Sequence, residues 1–417
     1  MKKKIAILVS MALLLGTMQT NIAFAEGETK AVIGVVENSN VNVVGETVNG
    51  VNEVASTLEA VKSMELSMEN AVKLAKESSR EMWKIDDSLK QIKESRKDAS
   101  KAKETAETIM SMDLDSLSTS GINITDDYIS KLMAKNGYYI TYADTKTKEI
   151  EKNRELLNIG IEIETKSLYY QVLVSEKTIA INEGNLNKAK EQLRVINLKF
   201  SNGSATKAEV LNGEMAVQKS QTELDSSKDD LKISKLNLLN KLDLPFDTEL
   251  TLIDKELNYL PTGSLDLNKA LEKAKLERPE ILSAQNNLEL QKIETHVYTA
   301  YYTSNLRQHK SAVEKLKDAE LNVPQVYKNI ELDVRKSYLN LVKSERALVN
   351  MDKTVELAKE AARINKLLYD NGMVASLDVL EADTNFAQAE IGRYQSLVSY
   401  NINKMMFDNC NLIGISE

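Results

Sequence analysis

Phe200-Ser201-Asn202-Gly203 returns 169 residues later as Tyr369-Asp370-Asn371-Gly372. The same offset, without a gap, carries Glu209-Val210-Leu211 onto Asp378-Val379-Leu380 and Tyr169 onto Tyr338. It also carries Ser175-Glu176-Lys177 onto Ser344-Glu345-Arg346, and Ala189-Lys190-Glu191 onto Ala358-Lys359-Glu360. A duplicated unit of this length is the main architectural fact of the chain. Asn-Gly at the end of a periodic apolar run is a left-handed C-cap signal. Helix restarts a few residues later, with Thr206 or Ser204 available as a cap in the first copy and Ser376 in the second. Each unit therefore reads as a helical hairpin with a tight tip, its return helices spanning about Lys207 to Lys241 and Leu377 to Asn409.

Upstream of the tips an apolar residue recurs every seven positions. Val172, Ile179, Leu186, Leu193 and Phe200 mark the first copy, and Leu341, Leu348, Val355, Ala362 and Tyr369 the second. A sustained seven-residue beat is coiled-coil packing. From about Lys148 to Phe200 no proline interrupts it. An earlier helix repeats at an offset of 199, pairing Ala71 with Ala270, Glu81 with Glu280 and Leu89 with Leu288. The first half thus carries 30 extra residues, between about Met110 and Thr147. Only 15 Gly and 4 Pro in 417 residues, with 5% aromatics, suit long helices with narrow seams better than compact cores. The expected fold is all-α, two tandem long helical hairpins packing as coiled coils, with Gly203 and Gly372 at one end of a rod.

Around this core the expected divisions are an export signal over 1–25, a flexible leader over 26–64, a first hairpin repeat over 65–242, a connector over 243–266 and a second repeat over 267–417. Lys2, Lys3 and Lys4, the apolar run Ile5 to Leu15 and Ala23-Phe24-Ala25 make the signal. Its removal costs three lysines and takes the formal charge from -8 to -11, which excludes the basic face a nucleic-acid partner needs. The connector, with Pro245 and Pro261 around Leu250, Leu252 and Ile253, reads as short strands or loops. Cys410 alone makes no disulfide framework, and His296 and His309 are too few for a metal cluster. No phosphate loop or nucleophile motif is present, so neither a cofactor nor an enzyme activity is expected. Trp83, the tyrosines and the methionines read as packing residues.

Ser67 to Ala75, Ala270 through Arg278-Pro279-Glu280-Ile281, and the two Asn-Gly tips in register with Glu209-Val210-Leu211 and Asp378-Val379-Leu380-Glu381-Ala382 resemble the TolC outer-membrane efflux protein family from about Met68 onward. The resemblance implies a homotrimer forming a twelve-helix hollow barrel. It implies an efflux duct that works with a periplasmic-type adaptor and an inner-membrane transporter. It places the chain in the cell envelope, at the outer membrane where the host has one and otherwise at the wall or surface. A non-conducting coiled-coil structural protein of the wall is the rival reading. The family usually interrupts each half with a pair of barrel strands, but the second half leaves only Thr295 to His309 for them. At about 9–11 residues per strand that is too short. No barrel is expected there or between Met110 and Thr147, where Asn123 to Asp127 reads as a helix start and Tyr138 to Tyr142 as at most one strand.

The resemblance also marks sites. Asp378 and Glu381 share a helix face three residues apart. Repeated threefold they would form anionic rings at the tunnel mouth and select cations; on spacing alone a solvated polar face is the favoured reading, and the resemblance brings the ring level with it. The first copy has Asn212 at the second of these positions. Glu209 and Tyr369 occupy positions the family uses to tie hairpins shut, and Asn202, Gly203, Asn371 and Gly372 form the tips on which an adaptor would dock. The arginine often found near the tip is replaced by Val374, and Tyr369 also fits as a plain seam residue.

Overall fold

A computed structural model describes residues 63–112, 128–256, 258–259, 262 and 266–414. The export signal, the leader through residue 62, and Asn123 to Asp127 lie outside the described residues. The described residues open with β1 (Ser63–Leu66), α1 (Met68–Glu77), α2 (Arg80–Ser111) and α3 (Tyr128–Lys135). The first rod-long helix, α4 (Tyr138–Ser201), and its return, α5 (Lys207–Lys241), follow. The second half runs β2 (Glu249–Leu252), α6 (Leu267–Glu277), α7 (Pro279–Tyr301), α8 (Arg307–Asp370) and α9 (Ser376–Asp408).

The duplication is a duplication of helices. Helices α4 and α8 are each 64 residues long. At about 1.5 Å per residue each runs about 96 Å. They begin and end 169 residues apart, so the repeat offset holds to the residue. The shorter partners come in two sets along each rod. Helix α5 packs on the second half of α4 and α9 on that of α8, while α2 and α7 pack on the first halves. The two repeats join through α4 against α9 towards the tips and α4 against α7 towards the base. In cross-section the wall is one helix thick, ordered α5, α4, α9, α8 near the tips and α2, α4, α7, α8 near the base.

Sequence reading placed the start of the first long helix near Lys148, ten residues late, and allowed a strand over Tyr138 to Tyr142. The structure corrects both, because Gly137 at φ 77 starts α4 and Tyr138 to Tyr142 form its first turns. Clustered tyrosines favour strands locally, and here tertiary packing overrides that preference. The shorter segment, Thr295 to His309, is the end of α7, a turn and the start of α8. The turn is closed by Tyr302 N–H donating to the Tyr298 carbonyl at 2.8 Å and Leu306 N–H to the Thr303 carbonyl at 3.0 Å. Trp83 is a further correction: it stands on α2 with 68% of its surface exposed and does not pack within the chain.

At mid-length a small core ties the halves. Strands β1 and β2 pair in parallel, Ser63 opposite Glu249 and Leu66 opposite Leu252. Ser63 and Met64, which sequence reading left in the leader, thus belong to a strand of the fold; four residues are too few to display a period. Buried Leu66, Leu250 and Leu252 meet Val172 and Leu173 of α4 and Leu238 and Leu239 of α5. The second repeat has its own cluster around Leu341, Val334, Tyr400 and Phe407. Buried Arg278, the residue before Pro279 at the start of α7, pairs with Asp333 and with Glu280 at 3.2 Å.

Tyr169 is fully buried and joins three segments. Its hydroxyl donates to the Leu66 carbonyl at 3.0 Å and accepts from Asp254 N–H at 3.2 Å. Burial pushes the phenol up to about 12. Its repeat mate Tyr338 instead packs its ring tilted against Phe407, with ring centres 5.9 Å apart. Tyr169→Phe should therefore cost about 1–2 kcal/mol through the loss of the two hydrogen bonds of a buried phenol; the Leu66 carbonyl keeps its bond from Ile253 N–H at 3.0 Å. Tyr338→Phe should be close to neutral. Urea denaturation followed by far-ultraviolet circular dichroism measures both.

Candidate functional site at the hairpin tips

Both tips end in the same hydrogen-bonded turn. At the first, Gly203 N–H donates to the Phe200 carbonyl at 3.0 Å and Ser204 N–H to the Lys199 carbonyl at 2.7 Å. At the second, Gly372 N–H donates to the Tyr369 carbonyl at 2.9 Å and Met373 N–H to the Leu368 carbonyl at 2.8 Å. These paired reverse bonds require a residue at positive φ, and both glycines lie at φ 72. A side chain there would strain the turn by about 1–2 kcal/mol. Asn202 and Asn371 are exposed C-cap residues, and Asn371 Nδ2 donates to the Leu367 carbonyl at 2.7 Å.

The return helices start differently. Thr206, not Ser204, caps α5, accepting from Glu209 N–H at 3.2 Å. Glu209 reaches back to Thr206 N–H at 2.7 Å and to the Thr206 hydroxyl at 3.0 Å, completing a capping box. In the second repeat Ala375 stands where Thr206 stands in the first. The expected cap, Ser376, is the first helical residue instead. Ala375 has no hydroxyl to offer, so only half the box forms: Asp378 accepts from Ala375 N–H at 2.9 Å.

The tips lie side by side. The Lys199 ammonium sits 3.8 Å above the Tyr369 ring, and nearer the rod's middle Lys188 pairs with Asp383 at 2.8 Å. Gly203 and Gly372 are thus at one end of the molecule. Tyr369 is only 6% exposed, and Phe200, its repeat mate, is 43% exposed. Among the described residues Glu209 and Tyr369 share no hydrogen bond. Lys199 stands between them, covering the ring and drawing on the carboxylate. Glu209 is held below the usual carboxylate range, first by the Thr206 backbone donor, then by the Thr206 hydroxyl, with a smaller pull from Lys199.

Asp378 and Glu381 are both exposed on one side of α9, and Val379, Leu380 and Ala382 are buried on the other. One chain therefore supplies two carboxylates facing solvent at the tip. Asn212 is also exposed on α5. Sequence reasoning missed Lys188 and Lys199. Their repeat mates are Leu357 and Leu368, so the signal was a loss of identity between the copies, which a search for similarity passes over.

No family model matches this sequence, and no curated protein matches it. Solved structures do. CusC, described in connection with folding and transmembrane channel formation, aligns at a TM-score of 0.63 with 12% identity, covering 83% of this chain and 92% of that one. The outer membrane protein VceC from Vibrio cholerae aligns at 0.57 with 13% identity, covering 84% and 97%. The MtrE outer membrane channel of Neisseria gonorrhoeae in its open state aligns at 0.54 with 13% identity, covering 82% and 88%. The chain is an all-α tandem-hairpin protein. Its fold is the one shared by the TolC-type outer membrane efflux channels.

Removing the complete cap should loosen the first tip. Thr206→Ala is expected to cost about 1 kcal/mol of local stability, read as faster amide exchange over residues 207–210. The Glu209 contribution has a definite pH sign. Its folded pKa is depressed, so the contribution is complete above the unfolded carboxylate value and fades as pH falls through the folded one. Amide protection at the first tip, corrected for intrinsic exchange, should decline on acidification, and Glu209→Ala should remove that decline.

Proposed function

We propose that copies of this chain associate head to tail into a closed trimeric tube, twelve helices around, that passes exported molecules across the cell envelope. An inner-membrane pump would deliver them through a periplasmic-type adaptor docked at the Asn-Gly tips. One observation carries the reading: the interface between the repeats inside a chain is a template for an interface between chains. Within the chain, Lys188 on α4 reaches Asp383 on α9 at 2.8 Å and lies over the Phe386 ring at 5.4 Å. Shifting each member by one repeat gives Leu357 on α8 facing Glu214 and Val217 on α5. Helices α4 and α9 stand between α8 and α5 in one chain, so these residues meet only across two copies.

The surfaces suit such a contact. Leu357 is 73% exposed, and Leu332, Leu339, Ile364 and Leu367 are exposed along the same helix. The opposite edge, α5, exposes Leu211, Met215, Ile233 and Leu236. Trp83 stands on the base half's free edge, α2. Two unlike edges make a heterologous interface, which closes into a ring when the rotation per copy divides a full turn. The number three is what the resemblance to the TolC family implies, and the likeness in fold to outer membrane channels supports the conducting role. In that ring Asp378 and Glu381 converge three times at the mouth, where they draw cations and oppose anions.

Joining the proposed neighbours tests the assembly. Glu214→Cys with Leu357→Cys, in a Cys410→Ser background, should give dimers and trimers with a short bis-maleimide linker, and nothing larger. A product that stays monomeric would overturn the ring. Asp378→Asn with Glu381→Gln tests conduction: export in cells or the ion selectivity of the reconstituted trimer should change, with helix content held. An intact trimer whose export and conductance ignore both substitutions would make the chain a structural coiled-coil spacer.

A further inference from the structure

The end of the rod opposite the tips has its own chemistry. Seven of the 15 tyrosines fall within residues 128–142 and 298–302. Helices α3, α4 and α7 bring them together. Tyr301 is the hub, its ring centre 5.3 Å from that of Tyr128 and 4.8 Å from that of Tyr302. Tyr138 lies deeper, and burial drives its phenol up to about 12. The cluster caps the bundle where α7 turns into α8.

The α7–α8 turn at that end is basic in an acidic chain. Formal net charge is -8 overall, yet residues 128–143 and 295–313 contain no Asp or Glu. They contain Lys131, Lys135, Arg307 and Lys310. Four aspartates fall in residues 113–127, outside the described ones. The α7–α8 turn is described throughout. Arg307 and Lys310 are exposed and form no ion pair among the described residues. Beside them Tyr301 is 49% exposed and Leu306 41% exposed. The turn is rigid on its inner side: His309 Nδ1 lies 2.9 Å from the Tyr302 carbonyl, and the Thr303 hydroxyl donates to Asn305 Oδ1 at 2.6 Å.

We propose that this basic, tyrosine-capped turn is a docking surface for an anionic lipid membrane, on which the rod stands without spanning it. Tyrosine rings sit favourably at a headgroup boundary, with an apolar body inward and a hydroxyl in water. Leu306 adds a small apolar wedge, and Arg307 and Lys310 supply attraction to anionic headgroups. A glycan partner fits less well. Sugar stacking needs open ring faces, and here the rings are engaged with one another at 4.8–5.7 Å. No helix among the described residues is long and apolar enough to cross a membrane, so the contact made by this turn is peripheral. In an assembly of several copies the turns would act together, and their weak affinities would multiply.

The exported chain, purified whole, tests this by sedimentation with phosphatidylcholine vesicles with and without phosphatidylglycerol. Binding should appear with the anionic vesicles and weaken as salt rises. Arg307→Gln with Lys310→Gln should lower the partition coefficient per chain by about 30-fold, which is ~2 kcal/mol at the ~1 kcal/mol that each basic side chain near such a surface contributes. Both side chains are exposed, so circular dichroism and oligomer size should be unchanged. Leu306→Ser should lower binding while leaving its salt dependence intact. Equal binding to neutral vesicles, variant binding equal to that of the unsubstituted chain, or retention on anionic cell-wall polymer in place of vesicles would overturn the proposal. The readout is independent of conduction, so a failed duct and a failed docking surface are distinguished.

Discussion

A helix of 64 residues in a folded protein draws most of its stability from packing an apolar face along its length. At about 96 Å neither rod can fold back over a compact core. Every stretch of α4 and α8 must instead find a partner alongside. The chain meets this with shorter helices laid end to end, two on each rod, and with a second copy of the unit. The waist core follows from the same need. Between α2 and α5 on one rod, and between α7 and α9 on the other, the coverage changes hands, and there the buried leucines and the β1–β2 pair are gathered.

How much of this was legible depended on how long each signal ran. The heptads from Val172 and Leu341, and the Asn-Gly tips, are repeated and long. They gave the hairpins, their offset and the return-helix boundaries to within a residue or so. The four-residue strand Ser63–Leu66 is too short for a period and owes its place to β2, which lies far along the chain. The start of α4 was hidden because tyrosines and threonines dominate Tyr138 to Tyr142, and their local preference is for strands. Trp83 was misread because type says only that an aromatic wants burial; it does not say whether the burying surface is in the same chain.

The site was half legible for a related reason. Similarity between copies located the tips, but the chemistry lies where the copies part. Thr206 becomes Ala375, and a full capping box becomes half of one. Lys199 becomes Leu368, and only the first copy offers a cation to a tyrosine face. Lys188 becomes Leu357, so the contact inside the chain is polar while its counterpart surface is an exposed leucine. A duplicated chain whose repeats met only each other would have no cause to leave one of two equivalent edges apolar and bare.

A wall one helix thick has two wet faces and no second layer to bury. That accounts for a chain 28% charged, with ion pairs along nearly every helix. Such exposed pairs contribute little individually, about 0–1 kcal/mol each. They keep both faces solvated and leave the lateral seams to hold the structure. Those seams are lined with small polar residues as well as leucine: Ser175 and Ser234 face each other at 3.1 Å between α4 and α5. Small side chains let helix axes approach closely, and a hydroxyl can satisfy itself on its own helix, as Ser234 does on the Asp230 carbonyl at 2.8 Å. The firm contacts lie at the waist, in the leucine core and at Arg278, and at the tips, in the turns and at Lys199.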